Sequence, residues 1–379
     1  MAYIEKYTTQ KGTLWRFQIS YTDPATGKRL KKSKSGFRLQ KEARVAAEEL
    51  ESQLLNGFTD SRMTFNQVYR QWFDNYKLTV KESTWTTTKR NFENHILPAF
   101  GNEIIGKVTP AKCQLIVNEW FKKPLKNYKR FANNISGVFK YAVRLKIVKS
   151  NPIDAIIIPS NRRQLIKKSK KSMYYSRNEL QKFLECLQES GTQQAYTFFR
   201  LLAFTGMRKG EVLALQWRDI NFLKHKISIN KTQSNGDGKL IIQSTKTAAS
   251  EREIFIDNKT LGILKDWKKK QKVQLFQLGF NSSSKDQLVF SSTLNKMHNP
   301  NKPRVWMSRI TEEYDLKHIP VHGFRHTYAT LAIQGGMPPK ELQEQLGHTD
   351  IKTTLNIYTS VTDKQKEQTP EKFTSFVNF

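Results

Sequence analysis

The sequence predicts an α+β protein, mainly α, in three parts: a small N-terminal β-sheet carrying one helix, a helical bundle, and a mixed domain of helices with a three-stranded sheet. Three observations lead there. A chain of 379 residues exceeds the roughly 100 to 200 residues of a usual domain. Apolar spacing has a period of two near the start, a helical period from residue 63, and a mixture of both toward the end. Between the second and third parts, 161–172 (NRRQLIKKSKKS) carries six basic residues and no acid, a linker composition.

Residues 1–58 form the first part. From Thr13 to Tyr21, Leu14, Arg16, Gln18 and Ser20 alternate with Trp15, Phe17, Ile19 and Tyr21, which is strand patterning. Asp23, Pro24 and Gly27 make a turn, and the Ala, Glu and Leu content of Gln40 to Leu55 makes a helix. Between them Lys28, Arg29, Lys31, Lys32 and Lys34 give the sheet a basic face. Such a face suits a phosphate backbone.

Residues 63–158 read as helices at Phe65 to Tyr76 after Thr64, Trp85 to Ile96 after Ser83, Leu115 to Phe121 behind Pro110, and Lys126 to Leu145. Pro152 and Pro159 end the bundle. The linker, 159–174, adds Arg162, Arg163, Lys167 and Lys168 as candidate DNA contacts. The third part, 175–379, holds helices at Arg177 to Glu189, Gln194 to Phe204, Asn258 to Leu278, Phe324 to Gln334 and Pro339 to Leu346. It also holds strand-like pieces at Lys226 to Asn230, Lys239 to Gln243 and Arg252 to Ile256.

Charge narrows the partner. Sixty-four Lys and Arg against 33 Asp and Glu leave a formal net charge of +31, and such a surface seeks polyanions. No apolar run approaches the ~20 residues that span a bilayer, so nucleic acid is the expected partner rather than a membrane. The start MAYIEKYTTQ lacks the pattern of a secretory signal. Cys113 and Cys186 are too few for a disulfide framework. A cytoplasmic protein is expected.

Four short motifs and a lysine carry chemistry. Thr205 to Glu211 reads TGMRKGE, placing Arg208 at a helix start, where a guanidinium fork can grip two phosphate oxygens. His322 to Arg325 reads HGFR, with both ends on one helical face. Leu346 to His348 reads LGH, and Tyr358 follows ten residues later in LNIYTSV. Lys246 sits in QSTKT at 243–247, beyond a strand, at an expected hairpin tip. Glu211 is spaced to pair with Arg208 or to hold His322. No tight cluster of metal-ligand spacing occurs, and neither metal nor cofactor is expected.

Taken in this order, the motifs resemble those of the tyrosine recombinases of phage and mobile-element integrase type. The resemblance implies an arm-type DNA-binding domain at 1–58, a core-binding domain at 63–158 and a catalytic domain with a C-terminal tail at 175–379. It implies cleavage and rejoining of DNA through a 3′-phosphotyrosine on Tyr358, without ATP. Arg208 and Arg325 would stabilise the phosphate, and Lys246 would act as general acid. His322 would assist deprotonation of Tyr358 and His348 would donate to the phosphate. The resemblance also implies double-stranded attachment-site DNA as partner, bending or directionality proteins, and a homotetramer on DNA. The tail's Phe373, Phe376, Val377 and Phe379 give it an apolar face for a neighbouring subunit.

The chemistry fits the residue types. A phosphodiester resists attack because charge gathers on its oxygens, and two guanidinium groups offset that charge. A phenolate leaves more readily than an alkoxide, so a tyrosyl phosphodiester keeps the bond energy for rejoining. A type IB topoisomerase shares this chemistry, but a separate basic N-terminal domain suits a second DNA site and favours an integrase. A DNA-binding regulator without catalysis would have no need of Arg208, Lys246, His322, Arg325, His348 and Tyr358 together.

Overall fold

The computed structural model describes residues 2–9, 12–22, 29–55, 63–123, 125, 127–160, 173–245 and 250–362, with backbone alone at 52–55 and 358–362. The chain divides into two compact units, residues 1–165 and 166–379.

The first unit begins with the antiparallel sheet β1 (Tyr3–Thr9), β2 (Gly12–Thr22) and β3 (Arg29–Phe37), in that spatial order, followed by α1 (Gln40–Leu55). The predicted strand is β2, and the basic run is β3. Alternation sends Phe17 and Ile19 of β2 into a small core with Ala47 of α1. Its opposite face, with Arg16, Gln18 and Ser20, is turned away from that core.

Helices α2 (Phe65–Thr79), α3 (Glu82–Asn91), α4 (Leu97–Phe100), α5 (Pro110–Lys122) and α6 (Tyr128–Arg144) follow. Thr64 caps α2 as predicted: its hydroxyl accepts from the Gln67 amide while the Gln67 side chain accepts from the Thr64 amide. The α3 cap is Lys81 rather than Ser83, so that helix starts a turn early. It continues through a π turn at Phe92–Ile96 into α4, where Pro98 lacks an amide hydrogen to continue the regular ladder. Along α6, Phe131, Ala132, Ile135, Val138, Phe139 and Ala142 fall on one face and are buried. They meet an aromatic core in which Tyr69 stacks on Phe92 at 4.2 Å and Phe65 lies against Phe100 and Phe139.

The second unit contains α7 (Arg177–Ser190), α8 (Gln193–Thr205), the short α9 (Lys209–Leu213), β4 (Ile220–Asn221), β5 (Lys226–Ile229), β6 (Lys231–Asn235), β7 (Leu240–Ser244), β8 (Arg252–Phe255) and α10 (Asn258–Gln277). Then come α11 (Lys302–Glu313), α12 (Gly323–Gln334), α13 (Pro339–Leu346) and α14 (Ile351–Thr362). The rings of Phe183, Phe199 and Phe324 pack against one another, edge-on or tilted, with centroids 5.0 to 5.4 Å apart and tie α7, α8 and α12 together. Ala329, Ile333, Leu342 and Leu346 form a second small core under Ile357 of α14.

The three-stranded sheet is β4-β5-β8, and β6 pairs with β7 in a separate hairpin. The three predicted strand pieces therefore fall in two sheets. Asn230 separates β5 from β6 and leaves β6 to pair with β7 across the turn before Leu240. Strands β7 and β8 thus belong to different sheets. Lys246 itself lies outside the described residues.

Candidate active site and nucleic-acid surface

The site starts where α8 stops. Gly206 takes φ 66°, the left-handed cap conformation, and a Cβ there would sit 2.7 Å from both Leu346 and Tyr328. Glycine alone suits both the angle and the space. The chain then turns into α9 with Arg208 at its cap. Gly210 lets that helix approach β6, since a Cβ would meet the Thr232 hydroxyl oxygen at 2.5 Å and the Gln233 carbonyl at 2.8 Å.

Arg208 and Arg325 converge on the end of α13. Arg325, 5% exposed, donates Nη1 to the Gly206 carbonyl at 2.9 Å and Nη2 to the Leu346 carbonyl at 2.7 Å. Arg208 donates Nη2 to the Gly347 carbonyl at 3.2 Å and Nη1 to Glu211 at 2.8 Å. Carbonyls at a helix C-terminus lack intrahelical partners and carry the negative end of its dipole, so guanidinium groups are well placed there. Burial and the neighbouring Arg208 charge bring the Arg325 pKa down to about 9, which still leaves it protonated at neutral pH.

Glu211 is buried, and of the two roles predicted for it the structure has the pairing with Arg208. Its oxygens accept from the Arg208 amide at 2.9 Å, from Arg208 Nη1, and from Arg252 Nη1 and Nη2 at 3.3 and 3.0 Å. Burial alone would raise its pKa, but the bonds and charge of Arg252, with those of Arg208, outweigh it and hold the carboxyl below its usual range.

Both predicted histidines lie in reach of this charge. His322 caps α12, with its ring edge-on to His326 at 5.2 Å. Burial first, then His326, Arg325 and Arg208, lower its pKa. His348 follows Gly347, which closes α13 at φ 65°. Its Nδ1 lies 2.9 Å from the hydroxyl of the fully buried Thr354 on α14. Burial and the Arg325 and Arg208 charges bring its pKa down to about 4. Both rings are therefore neutral at pH 7, able to accept a proton or to donate one ring N–H.

The structure thus brings together Arg208, Glu211, His322, Arg325 and His348. Tyr358 lies on α14, anchored just before it by Thr354 and by Ile357 packed on the second core; its side chain lies outside the described part. Arg252 is the polar residue that sequence reasoning missed. It opens β8 with no local motif, and its Glu211 and Gln345 partners are 41 and 93 positions away.

In the N-terminal sheet the strand pleat divides the predicted basic run. Lys31 pairs with Ser20 and Arg29 with Thr22, on the face turned away from α1, alongside Gln18 and Arg16. Lys32 and Lys34 pair with Ile19 and Phe17 on the other face, where their amines lie over the Tyr21 and Phe37 rings at 5.6 and 5.8 Å. Lys28, Arg162, Arg163, Lys167 and Lys168 lie outside the described residues, as does the tail beyond residue 362. Among the described residues no helix is long and apolar enough to cross a membrane.

Comparison with known proteins agrees with this geometry. Residues 174–365 match the phage integrase family, 64–121 its N-terminal SAM-like domain, and 4–54 an arm DNA-binding domain. The ICEBs1 integrase of Bacillus subtilis is 29% identical over 360 residues, covering 91% of this chain and 92% of that protein. Among solved structures, the Tn1549 transposon integrase in complex with a circular intermediate DNA is similar in fold. Its TM-score is 0.64 at 20% identity, over 81% of this chain and 99% of that one. A lambda integrase dimer bound to a COC′ core site gives 0.54 at 17% identity, over 93% and 94%. The chain belongs to the phage integrase family and is a site-specific tyrosine recombinase, an enzyme that cleaves and rejoins DNA in mobile-element integration.

Proposed function

We propose that this recombinase integrates and excises its element at double-stranded attachment sites by attack of Tyr358 on the scissile phosphate. The convergence of Arg208 and Arg325 on the end of α13, with His322 and His348 beside them, carries the reading.

In the cleavage step Tyr358 Oη bonds to phosphorus and the bond from phosphorus to the 5′-oxygen breaks, leaving a 3′-phosphotyrosine. Neutral His322 takes the phenol proton, and Lys246 gives a proton to the departing 5′-oxygen. The Arg208 and Arg325 guanidinium groups hold the non-bridging oxygens as charge grows on them. In the tautomer whose Nδ1 accepts from the Thr354 hydroxyl 2.9 Å away, His348 donates Nε2–H to the same phosphate. Attack of a second strand's 5′-hydroxyl on the phosphotyrosine reverses the step, so no ATP, metal or cofactor enters.

Residues 1–58 bind a second, arm-type DNA site, 63–158 grip the core site, 159–174 link them to the catalytic domain at 175–379, and the assembly on DNA is a homotetramer. A lambda integrase tetramer bound to a Holliday junction supports the last reading. Bending or directionality proteins act with it in the cytoplasm of a bacterial host. The test is Tyr358→Phe: covalent protein–DNA adduct should vanish while duplex binding persists. A normal adduct yield would overturn the assignment.

A further inference from the structure

Arg252 has no part in the reaction as written, yet it occupies the centre of the site. Its side chain is 7% exposed at the start of β8. Nε donates to the Gln345 carbonyl at 2.9 Å, Nη1 to the Ser250 carbonyl at 3.2 Å, and Nη1 and Nη2 to the two oxygens of Glu211. Three consecutive carbonyls at the end of α13 thus each take one arginine: Gln345 takes Arg252, Leu346 takes Arg325, and Gly347 takes Arg208.

Glu211 is the carboxylate joining two of these arginines. Both its oxygens are shared between Arg208 and Arg252. Arg208 is bonded to this carboxylate at 2.8 Å, and were it the sole partner the carboxylate would cancel the charge that a phosphate needs. With Arg252 present, two guanidinium groups share one carboxylate, and the surplus charge is available to an anion. The bond to Gln345 acts in a second way, because it fixes the last turn of α13, from which His348 follows by three residues.

We propose that Arg252 is a positioning residue for strand cleavage: it offsets the Glu211 charge so that Arg208, which stays bonded to that carboxylate, keeps net positive charge for the scissile phosphate, and it pins the α13 end that presents His348. The inference rests on the phosphate-binding role of Arg208 given above.

The test compares the full-length protein and its variants on a nicked duplex of the element's core site, on which the unaltered protein forms its adduct. One version of the duplex is normal. In another a methylphosphonate, both diastereomers, replaces the scissile phosphate, removing one negative oxygen. Arg252→Ala should slow adduct formation on normal DNA roughly 10- to 100-fold, the usual loss for a partner behind a site group. Its defect should shrink on methylphosphonate in parallel with that of Arg208→Ala, since less charge needs stabilising. Arg252→Lys, which keeps the charge, should recover much of the rate on normal DNA. Adding Glu211→Gln to Arg252→Ala should also recover part, because the uncompensated carboxylate is gone.

A defect of equal size on both substrates would reduce Arg252 to a structural support and overturn the proposal, as would an unaltered rate. Where Arg252→Ala does not fold, the same ratio read on Arg252→Lys and on the double variant decides. If Arg208→Ala shows no smaller defect on methylphosphonate, the phosphate-binding reading of Arg208 fails and takes this inference with it. If Arg208→Ala behaves as expected and Arg252 does not, only the inference fails.

Discussion

Positive charge is handled in opposite ways by the N-terminal sheet and by the second unit. On β3, Arg29, Lys31, Lys32 and Lys34 sit at the surface. Around α13, Arg252 and Arg325 are buried and Arg208 is partly buried, each on a backbone carbonyl, with Arg208 and Arg252 sharing Glu211. Exposed charge is screened by salt and gives affinity that tracks the number of phosphates contacted. Fixed, desolvated charge gives geometry, and it costs no reorganisation when the reacting phosphate arrives. The difference teaches which substitutions should change rate and which should change binding.

The largest effect should sharpen the catalytic side of that contrast. Lys246→Ala is expected to slow cleavage by roughly 10² to 10⁴, the usual weight of a general acid. Replacing the bridging 5′-oxygen by sulfur should restore it, because a thiolate leaves without a proton. Arg208→Ala should stay slow on both substrates, since it acts on the non-bridging oxygens. Equal Lys246→Ala defects on oxygen and sulfur substrates would reassign the lysine to phosphate binding and send the search for the acid to His322 or His348.

Much of this site was legible in the sequence because its parts are local. TGMRKGE, HGFR and LGH each combine a helix boundary with a reactive residue, so a short window contains both the position and the chemistry. Thr64 and Gln67, or Ser176 and Glu179, announce helix starts in the same way. Arg252 was not legible, since an arginine opening a strand looks alike whether it faces water or a buried carboxylate 41 positions away. Helices α11 and α14, the latter carrying Tyr358, and strands β1, β4 and β6 were also missed. In β6, KTQSN, pairing with β7 decides the structure where apolar alternation is absent. The split of the basic run came from alternation combined with pairing to β2, and the bulge at Trp15 and Arg16 that brings Phe37 back onto the α1 side was hidden.

A second way to break the contrast is to loosen the backbone that fixes the arginines. Gly206 gives its carbonyl to Arg325 and holds a left-handed turn against Leu346 and Tyr328. Gly206→Ala should cost about 1–3 kcal/mol in stability from backbone strain alone. The 2.7 Å contacts add to that by pushing α13 away from α8. Chemical denaturation should therefore show a lower midpoint, and adduct formation should fall with it. An unchanged midpoint would mean that the turn is more tolerant than its geometry implies.

The smallest effects belong to the sheet, and they test whether its two faces differ. Lys31 stands beside Ser20, Gln18 and Arg16 on the face away from α1, while Lys34 lies over Phe37 on the other face. If the outer face meets DNA, Lys31→Ala should weaken arm-site binding and reduce the slope of log affinity against log salt by about 1, the signature of one lost phosphate contact. Lys34→Ala should leave that slope nearly unchanged. Neither variant should alter the rate of adduct formation on a core-site duplex, because the exposed lysines have no share in fixing Arg208 or Arg325. Equal loss of slope from both variants would mean that the sheet meets DNA along the β3 edge, where residues of both faces reach the backbone.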